Sequence, residues 1–519
     1  MKLFYGAGLN ENQYPHPSEA STGSYNFDLT KDTNALRPRR PVDLKGTATN
    51  GSDIRGLLQL IKRDNTETTL VQAGDRVYKW DGGSTFSSVA TLVTSTSQLR
   101  DCYWSLDDYI VIPDLQLKQQ IFNWDGTTFD THVTALATDL YAKYAKVHQG
   151  RMWFANIRED STYYPHMILA SAFEDAEVLD TSLRAPSGTS VNSTSAMYML
   201  SPDLKPINAL QVFQNSLIIS TVDGRIYRLT GSSTTDYQWE DFYVRSAAIG
   251  NEACINGGND IFYMRTGGNI ESLRATQNFG DVSADDLSSW IPDTVNGLAD
   301  AIAVYDQDLQ RVLFFIANKI LVLYKDILYG GAVLNEKGEK AKLSPWSVYK
   351  TTLSTAFNTS AARYMRIPGT SGYSVYYGDS AGKVYDLNGD GVSGDAGSNT
   401  IQLVRGTRFL EDLGYIRKIP RGKVQYVRVG ECDFNVTLQF SDEYSESTAT
   451  VMLKAGNASG YYFGGSNYFS GTVYFGDTAV GDRFLSHQNF SNVGRGPVVT
   501  VEVSSDTNVR YIVNHVELM

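Results

Sequence analysis

Cysteine is scarce in this chain of 519 residues: Cys102, Cys254 and Cys432 are the only three, far apart and in no CxxC pair. An odd, scattered set excludes a disulfide framework and a structural zinc site, and reads as buried thiols in a chain made in a reducing cytoplasm. Histidine is nearly as rare, with six residues at 16, 132, 148, 166, 487 and 515 that show no metal-ligand spacing. His148 and His515 fall in strand patterns and read as satisfied sheet residues rather than catalytic bases. Long apolar runs are also missing. The most apolar stretch, 312–324, is interrupted by Asn318-Lys319 and is too short for a membrane helix, so it reads as a hairpin and no membrane insertion is expected. Residues 1–8 lack the extended apolar core of a signal peptide. A basic surplus is absent as well: the formal charge is -12 and the pI about 5.1, which argues against a protein that wraps nucleic acid by neutralising phosphates. The one dense basic run, Arg37-Pro38-Arg39-Arg40-Pro41, is short and broken by proline, and Arg37, Arg39 and Arg40 read as a solvated or subunit-contacting loop.

The motifs of common enzymes are missing too. There is no GxSxG elbow, HExxH, Walker loop or dinucleotide-binding glycine fingerprint. No enzyme is expected, although two of the 57 acidic residues converging in a cleft would escape a reading of this kind.

What the chain has is aromatic residues (32 Tyr, 22 Phe) and 45 Gly, a composition suited to strands and tight turns. One unit recurs at 76–82, 120–126, 225–231 and 383–389: polar or basic, aliphatic, aromatic, polar, large apolar, polar, glycine. It is a strand running into a turn. Trp80 and Trp124, each followed by Asp-Gly, stand 44 residues apart, the length of a four-stranded propeller blade. The Gly-His that accompanies Trp-Asp in WD40 repeats and the Asp boxes of sialidase propellers are both absent. The fold expected is all-β: a β-propeller of about seven blades over 51–397, preceded by an extended arm (1–50) and followed by an antiparallel β-sandwich (398–519), where longer alternating strands begin. Polar segments near 156–205 and 274–297 read as inter-blade insertions projecting from one face. The one helix candidate is 283–290, with Ser283 as N-cap.

The most specific chemical signal is Asp386-Leu387-Asn388-Gly389-Asp390-Gly391 with Asp395 beyond it. Oxygen donors at Asp386, Asn388 and Asp390 resemble the start of a calcium loop, and Ca²⁺ is the one cofactor the sequence suggests. The match is partial: Gly397 stands where an EF-hand has its closing Glu, and the same residues suit an Asx-rich turn.

The order of features resembles the tail nozzle or hub proteins of short-tailed bacteriophages. The polar arm leading into Leu36-Arg37-Pro38-Arg39-Arg40-Pro41, strand blocks ending in Val-Tyr-x-Trp-Asp-Gly, residues 378–387, 401–407 and 413–418 carry the likeness. The resemblance implies a virion tail protein made in the host cytoplasm, six copies forming a ring below the portal and adaptor that retains packaged DNA and conducts it during ejection. Its partners would be itself, the adaptor and portal, tail fibres or tailspikes, and genomic DNA passing without sequence-specific binding. The alternative is a tail fibre or receptor-binding protein that recognises a host glycan through aromatic clusters such as Tyr461-Tyr462-Phe463 or Tyr468-Phe469.

Overall fold

The structure is a computed structural model that describes residues 36–132, 139–179, 197–275 and 282–389 apart from a few loop residues, together with 2–4, 22–29 and the backbone of strands between 403 and 518. Seven four-stranded antiparallel sheets follow one another around a ring, so the central body is a seven-bladed β-propeller. Blades 1 to 6 span 54–91, 102–131, 140–200, 207–243, 254–286 and 302–350. Blade 7 takes three strands from 362–386 and its outermost from Asp43–Thr47, which pairs antiparallel with Lys383–Asp386.

Blades pack face to face, so their inner strands are covered on both sides. That is why Tyr109–Ile112, Arg311–Ile316 and Asp260–Met264 are buried along their whole length instead of alternating. The core is accordingly annular. Leu58, Leu70 and Val77 of blade 1 meet Ile110, Ile112 and Trp124 of blade 2, comparable apolar layers join each of blades 2 to 5 to the next, and Phe315 of blade 6 meets Tyr377 of blade 7. Blade 1 meets blade 7 through Leu57, Trp80, Met365 and Tyr376.

The recurrent sequence unit is the third strand of blades 1, 2, 4 and 7. Its tryptophans tie each blade to the one before. Trp80 packs edge-on against Tyr376 of blade 7 with ring centroids 5.4 Å apart, and the Trp124 indole N–H donates to Thr68 Oγ1 of blade 1 at 2.9 Å. The following aspartate builds the turn: Asp81 accepts the Gly83 N–H at 2.8 Å, and Asp125 accepts those of Thr127 and Thr128. Gly82, Gly126 and Gly231 take the left-handed backbone the turn requires, at φ 88°, 99° and 121°. Gly389, the fourth, answers a different need, since a Cβ there would lie 2.3 Å from the Asp43 carboxyl carbon.

Three expectations change. The described parts of the 1–50 segment are built into the fold rather than set apart as an extended arm: besides closing blade 7, they lie along the outer edge of blade 6, where Asn26 N–H donates to Val348 O at 2.7 Å and Asn26 Oδ1 accepts Lys350 N–H at 2.8 Å. An exposed sheet edge is thereby covered. The 283–290 helix is instead the strand Val282–Asp286, fourth of blade 5, followed by a 3-10 turn over Ser288–Trp290. Pairing with Ile270–Ala275 outweighs a local helical preference worth tenths of a kcal/mol per residue. The segments 156–205 and 274–297 are not simple insertions either, for they hold Thr162–Ala170 and Met197–Leu200 of blade 3 and the last strand of blade 5; residues 180–196 lie outside the described residues.

The C-terminal strands form two antiparallel sheets to which the N-terminus contributes. Lys2–Phe4 and Leu36–Pro38 pair with Tyr511–Leu518, and Thr22–Tyr25 pairs with Leu403–Leu410. The face-to-face packing expected of a sandwich involves side chains outside the described residues.

Arg311 of blade 6 holds these parts together. Fully buried, it bonds Asp306 at 3.0 Å, Asp28 of the N-terminal segment at 3.1 Å, the Tyr349 hydroxyl at 2.5 Å and Asn388 Oδ1 at 2.6 Å. Tyr324 donates a further bond to Asp28 at 2.7 Å. Replacing Arg311→Met strands buried Asp306 without its partner, and should lower the free energy of unfolding by about 3–5 kcal/mol. A urea titration reads this as a lower midpoint at unchanged slope; a loss under about 1 kcal/mol would place the network outside the fold's main supports.

Candidate functional site

A polar pocket of about 330 Å³ lies on the axis of the ring, lined by the first strands of the blades and the residues leading into them. The innermost strand of each blade presents its edge to this axis, so side chains at strand starts from different blades converge. Arg100, just before blade 2, reaches across. Its Nη1 donates to Arg55 O and Leu99 O, both at 2.7 Å, its Nη2 to Ser360 O at 3.1 Å, and its Nε to the Glu252 carboxylate at the entry to blade 5. Asp101 pairs with Arg363 of blade 7 and accepts Gln59 N–H at 3.3 Å. The two arginine–carboxylate pairs span the mouth of the axis.

Lys143 and Lys146, on the first strand of blade 3, also line the pocket and have no ion-pair partner among the described residues. Burial holds the Lys143 ammonium below its usual range. With both carboxylates engaged by arginines, the lysines give the axis a positive surplus inside an acidic chain, an arrangement suited to holding an anion. Cys254 sits on the same wall, but burial pushes its thiol up to about 12, so it is no thiolate nucleophile at neutral pH.

No family model and no curated protein matches the chain. Two solved structures align over much of it. The β-propeller domain of Cps50 (Swd1) from Myceliophteria thermophila is 10% identical, with 67% of this chain and 99% of that one covered at a TM-score of 0.40. The computationally designed protein Ika8 is 10% identical, with 66% and 99% covered at a TM-score of 0.33. Likenesses at this level carry no argument, and the propeller rests on the strand pairing itself.

Of the candidate metal and contact residues singled out in the sequence, those that are described do not line the axial pocket. Asp386 is buried, accepts the Ser374 hydroxyl and the Asn388 N–H, the latter at 2.9 Å, and faces Lys45 Nζ at 3.6 Å. Asn388 Oδ1 accepts a hydrogen bond from Arg311 Nη2. Both are thus engaged by protein groups in an Asx turn. Asp390, the third expected calcium ligand, and Asp395 lie outside the described residues, and among the described residues no cluster of three His, Cys, Asp or Glu is placed to hold a metal.

Arg39 is not a subunit contact. It is 1% exposed, donates to Asn26 Oδ1 at 2.9 Å, Arg40 O at 3.0 Å and Lys350 O at 3.1 Å, and stacks over Tyr349 and Phe357. A charge run that looks solvated in sequence is here drawn inward by aromatic faces some 300 residues away. Arg40 is half-buried, and the Arg37 side chain lies outside the described residues, as do the 461–463 and 468–469 aromatic clusters.

Sequence reading found neither the axial cations nor His132, because both are assembled by blade stacking. His148 is a buried sheet residue as expected, yet its Nε2 has no hydrogen-bond partner. His132 is buried at the end of blade 2, with Nε2 3.0 Å from Ala176 O, and burial lowers its pKa to about 4. The unfolded chain, with a histidine near 6.5, takes up this proton first, so stability is complete above about 6.5 and falls as pH drops toward 4, by up to about 3 kcal/mol. Comparing urea unfolding at pH 7 and 4.5, His132→Gln should flatten this dependence relative to the parent; equal slopes in the two proteins would contradict it.

Proposed function

We propose that this chain is a structural virion protein of a short-tailed phage, six copies of which form the tail nozzle ring below the portal and adaptor, hold packaged DNA and conduct it during ejection. One observation carries the reading beyond the sequence resemblance: the N-terminal segment runs from the C-terminal sheets, along the edge of blade 6, into blade 7. Propeller and appended sheets are thereby braced into one building block, as a component under the pressure of packaged DNA requires. The arginine–carboxylate ties across the axis fit the same view, in which DNA passes along the surfaces of a ring of subunits rather than through one propeller. The negative formal charge suits a conduit that DNA slides past without sticking.

A second reading has one observation in its favour. The polar axial pocket with its two unpaired lysines is what a monomeric propeller that binds a small acidic molecule would carry. Symmetry separates the two. Electron microscopy of the protein assembled with its virion neighbours should show six copies around the tail axis. A three-fold fibre, or a monomer that joins no particle, would overturn the nozzle reading.

A further inference from the structure

A second cavity, of about 660 Å³, lies between blades 2 and 3 and is lined by six carboxylates, those of Asp107, Asp125, Asp130, Glu174, Asp175 and Glu177, and by no lysine or arginine. They arrive from separate elements: the first hairpin turn of blade 2, the turn after its third strand, its fourth strand, and the loop that follows Thr162–Ala170 in blade 3. None of the six forms an ion pair among the described residues. Several are held in place by local donors. Asp107 accepts the Trp104 indole N–H at 2.9 Å, Asp175 the backbone N–H groups of Glu177 at 3.0 Å and Val178 at 3.3 Å, and Asp125 the Thr127 hydroxyl at 2.8 Å. Lys62 lies near enough to Asp125 to be felt electrostatically, without a bond. Concentrated negative charge of this kind favours a positive occupant.

Two buried side chains lining the same cavity point to a ligand independently of the charge. His132 is 2% exposed, and since its Nε2 must donate to Ala176 O, its Nδ1 is a bare acceptor, with no partner among the described residues. Tyr109 is 7% exposed and its hydroxyl is also without a partner among the described residues, although buried polar groups are nearly always satisfied. The two rings lie with centroids 5.9 Å apart, and both residues line this cavity. Burial and the charges of Glu177, Asp107 and Asp175 raise the Tyr109 phenol, and burial together with Asp175 and Asp107 raises the Glu177 carboxyl, as expected where like charges crowd without a counter-cation.

We infer that this inter-blade cavity is a binding site for an organic cation, a guanidinium or ammonium group whose N–H donors reach His132 Nδ1 and the Tyr109 oxygen while the surrounding carboxylates balance its charge. A bare divalent ion fits less well. The acidic groups are not gathered closely enough to coordinate one, and the cavity has room for a multi-atom group with several donors. The cation has two possible sources of one chemistry, a free polyamine or guanidine and a basic side chain offered by a neighbouring protein.

Calorimetric titration of the full chain with spermidine and, separately, with N-acetyl-arginine amide distinguishes them. Saturable one-to-one binding of either probe is expected, weakened at least about tenfold in a D175N/E177Q double variant. Binding of the arginine amide alone assigns the site to a protein side chain, binding of spermidine alone to a free polyamine, and both results support the inference. A thermal melt by circular dichroism checks that the variant folds, and D130N serves if it does not. Failure of both probes to bind saturably overturns the inference. So does binding untouched by the substitutions, or calcium binding at lower concentration with the same sensitivity to them.

Discussion

The pairing of Asp43–Thr47 with Lys383–Asp386 is the contact on which the rest of the ring depends. Blades 1 to 6 each close their own sheet from one stretch of chain, blade 6 with a small hairpin of Ala332–Leu334 and Lys340–Lys342 set before its last strand, and only blade 7 borrows one from the far end of the chain. Bringing ends together across more than 300 residues carries a loop-closure cost that grows slowly with length, so a short strand with a good register suffices if its surroundings are fixed. They are fixed by groups that meet nowhere else. Asp28 from before the closing strand, Asn388 from after blade 7 and Arg311 from blade 6 share one buried network, and Gly389 leaves room for the Asp43 carboxylate. Arg39 adds a second anchor on Tyr349 and Phe357. One guanidinium stands between two carboxylates in that network, and Asp28 also accepts the Tyr324 and Tyr349 hydroxyls, the kind of added hydrogen bonding under which buried ion pairs are tolerated.

Much of the propeller was legible because its information is local. A strand of aliphatic and aromatic residues ending in Asp-Gly states its own geometry, and its spacing states the blade. The Trp-Asp pairs turned out to do two separate jobs, the indole joining the preceding blade and the carboxylate nucleating the turn. What failed was non-local. Residues 43–47, Asp-Leu-Lys-Gly-Thr, give little strand signal, and nothing in them names a partner at 383–386. Ser283 with acids behind it resembles a helix start until blade 5 demands a fourth strand. Thr162 to Tyr164 look like loop because the outer half of that strand is exposed, although Met167 to Ala170 are buried.

The sites were less legible than the fold for the same reason. Arg100 and Glu252, or Tyr109, His132 and Glu177, are unremarkable one at a time and acquire meaning only when blades bring them together. The Asp386 turn, by contrast, stood out in sequence and proves to be a structural joint as far as it is described. Positive charge at the axis and negative charge between blades 2 and 3 show that a net charge of -12 says little about any one surface.

Hydrogen exchange of the full-length protein, read peptide by peptide, tests the closure most directly. If the N-terminal segment completes the ring, amides of 43–47 and 383–386 are protected nearly as strongly as the inner strands of blades 2 to 5, opening only with a free energy close to that of global unfolding. Exchange of 43–47 at the rate of an unstructured peptide, with the rest of blade 7 protected, would contradict the account.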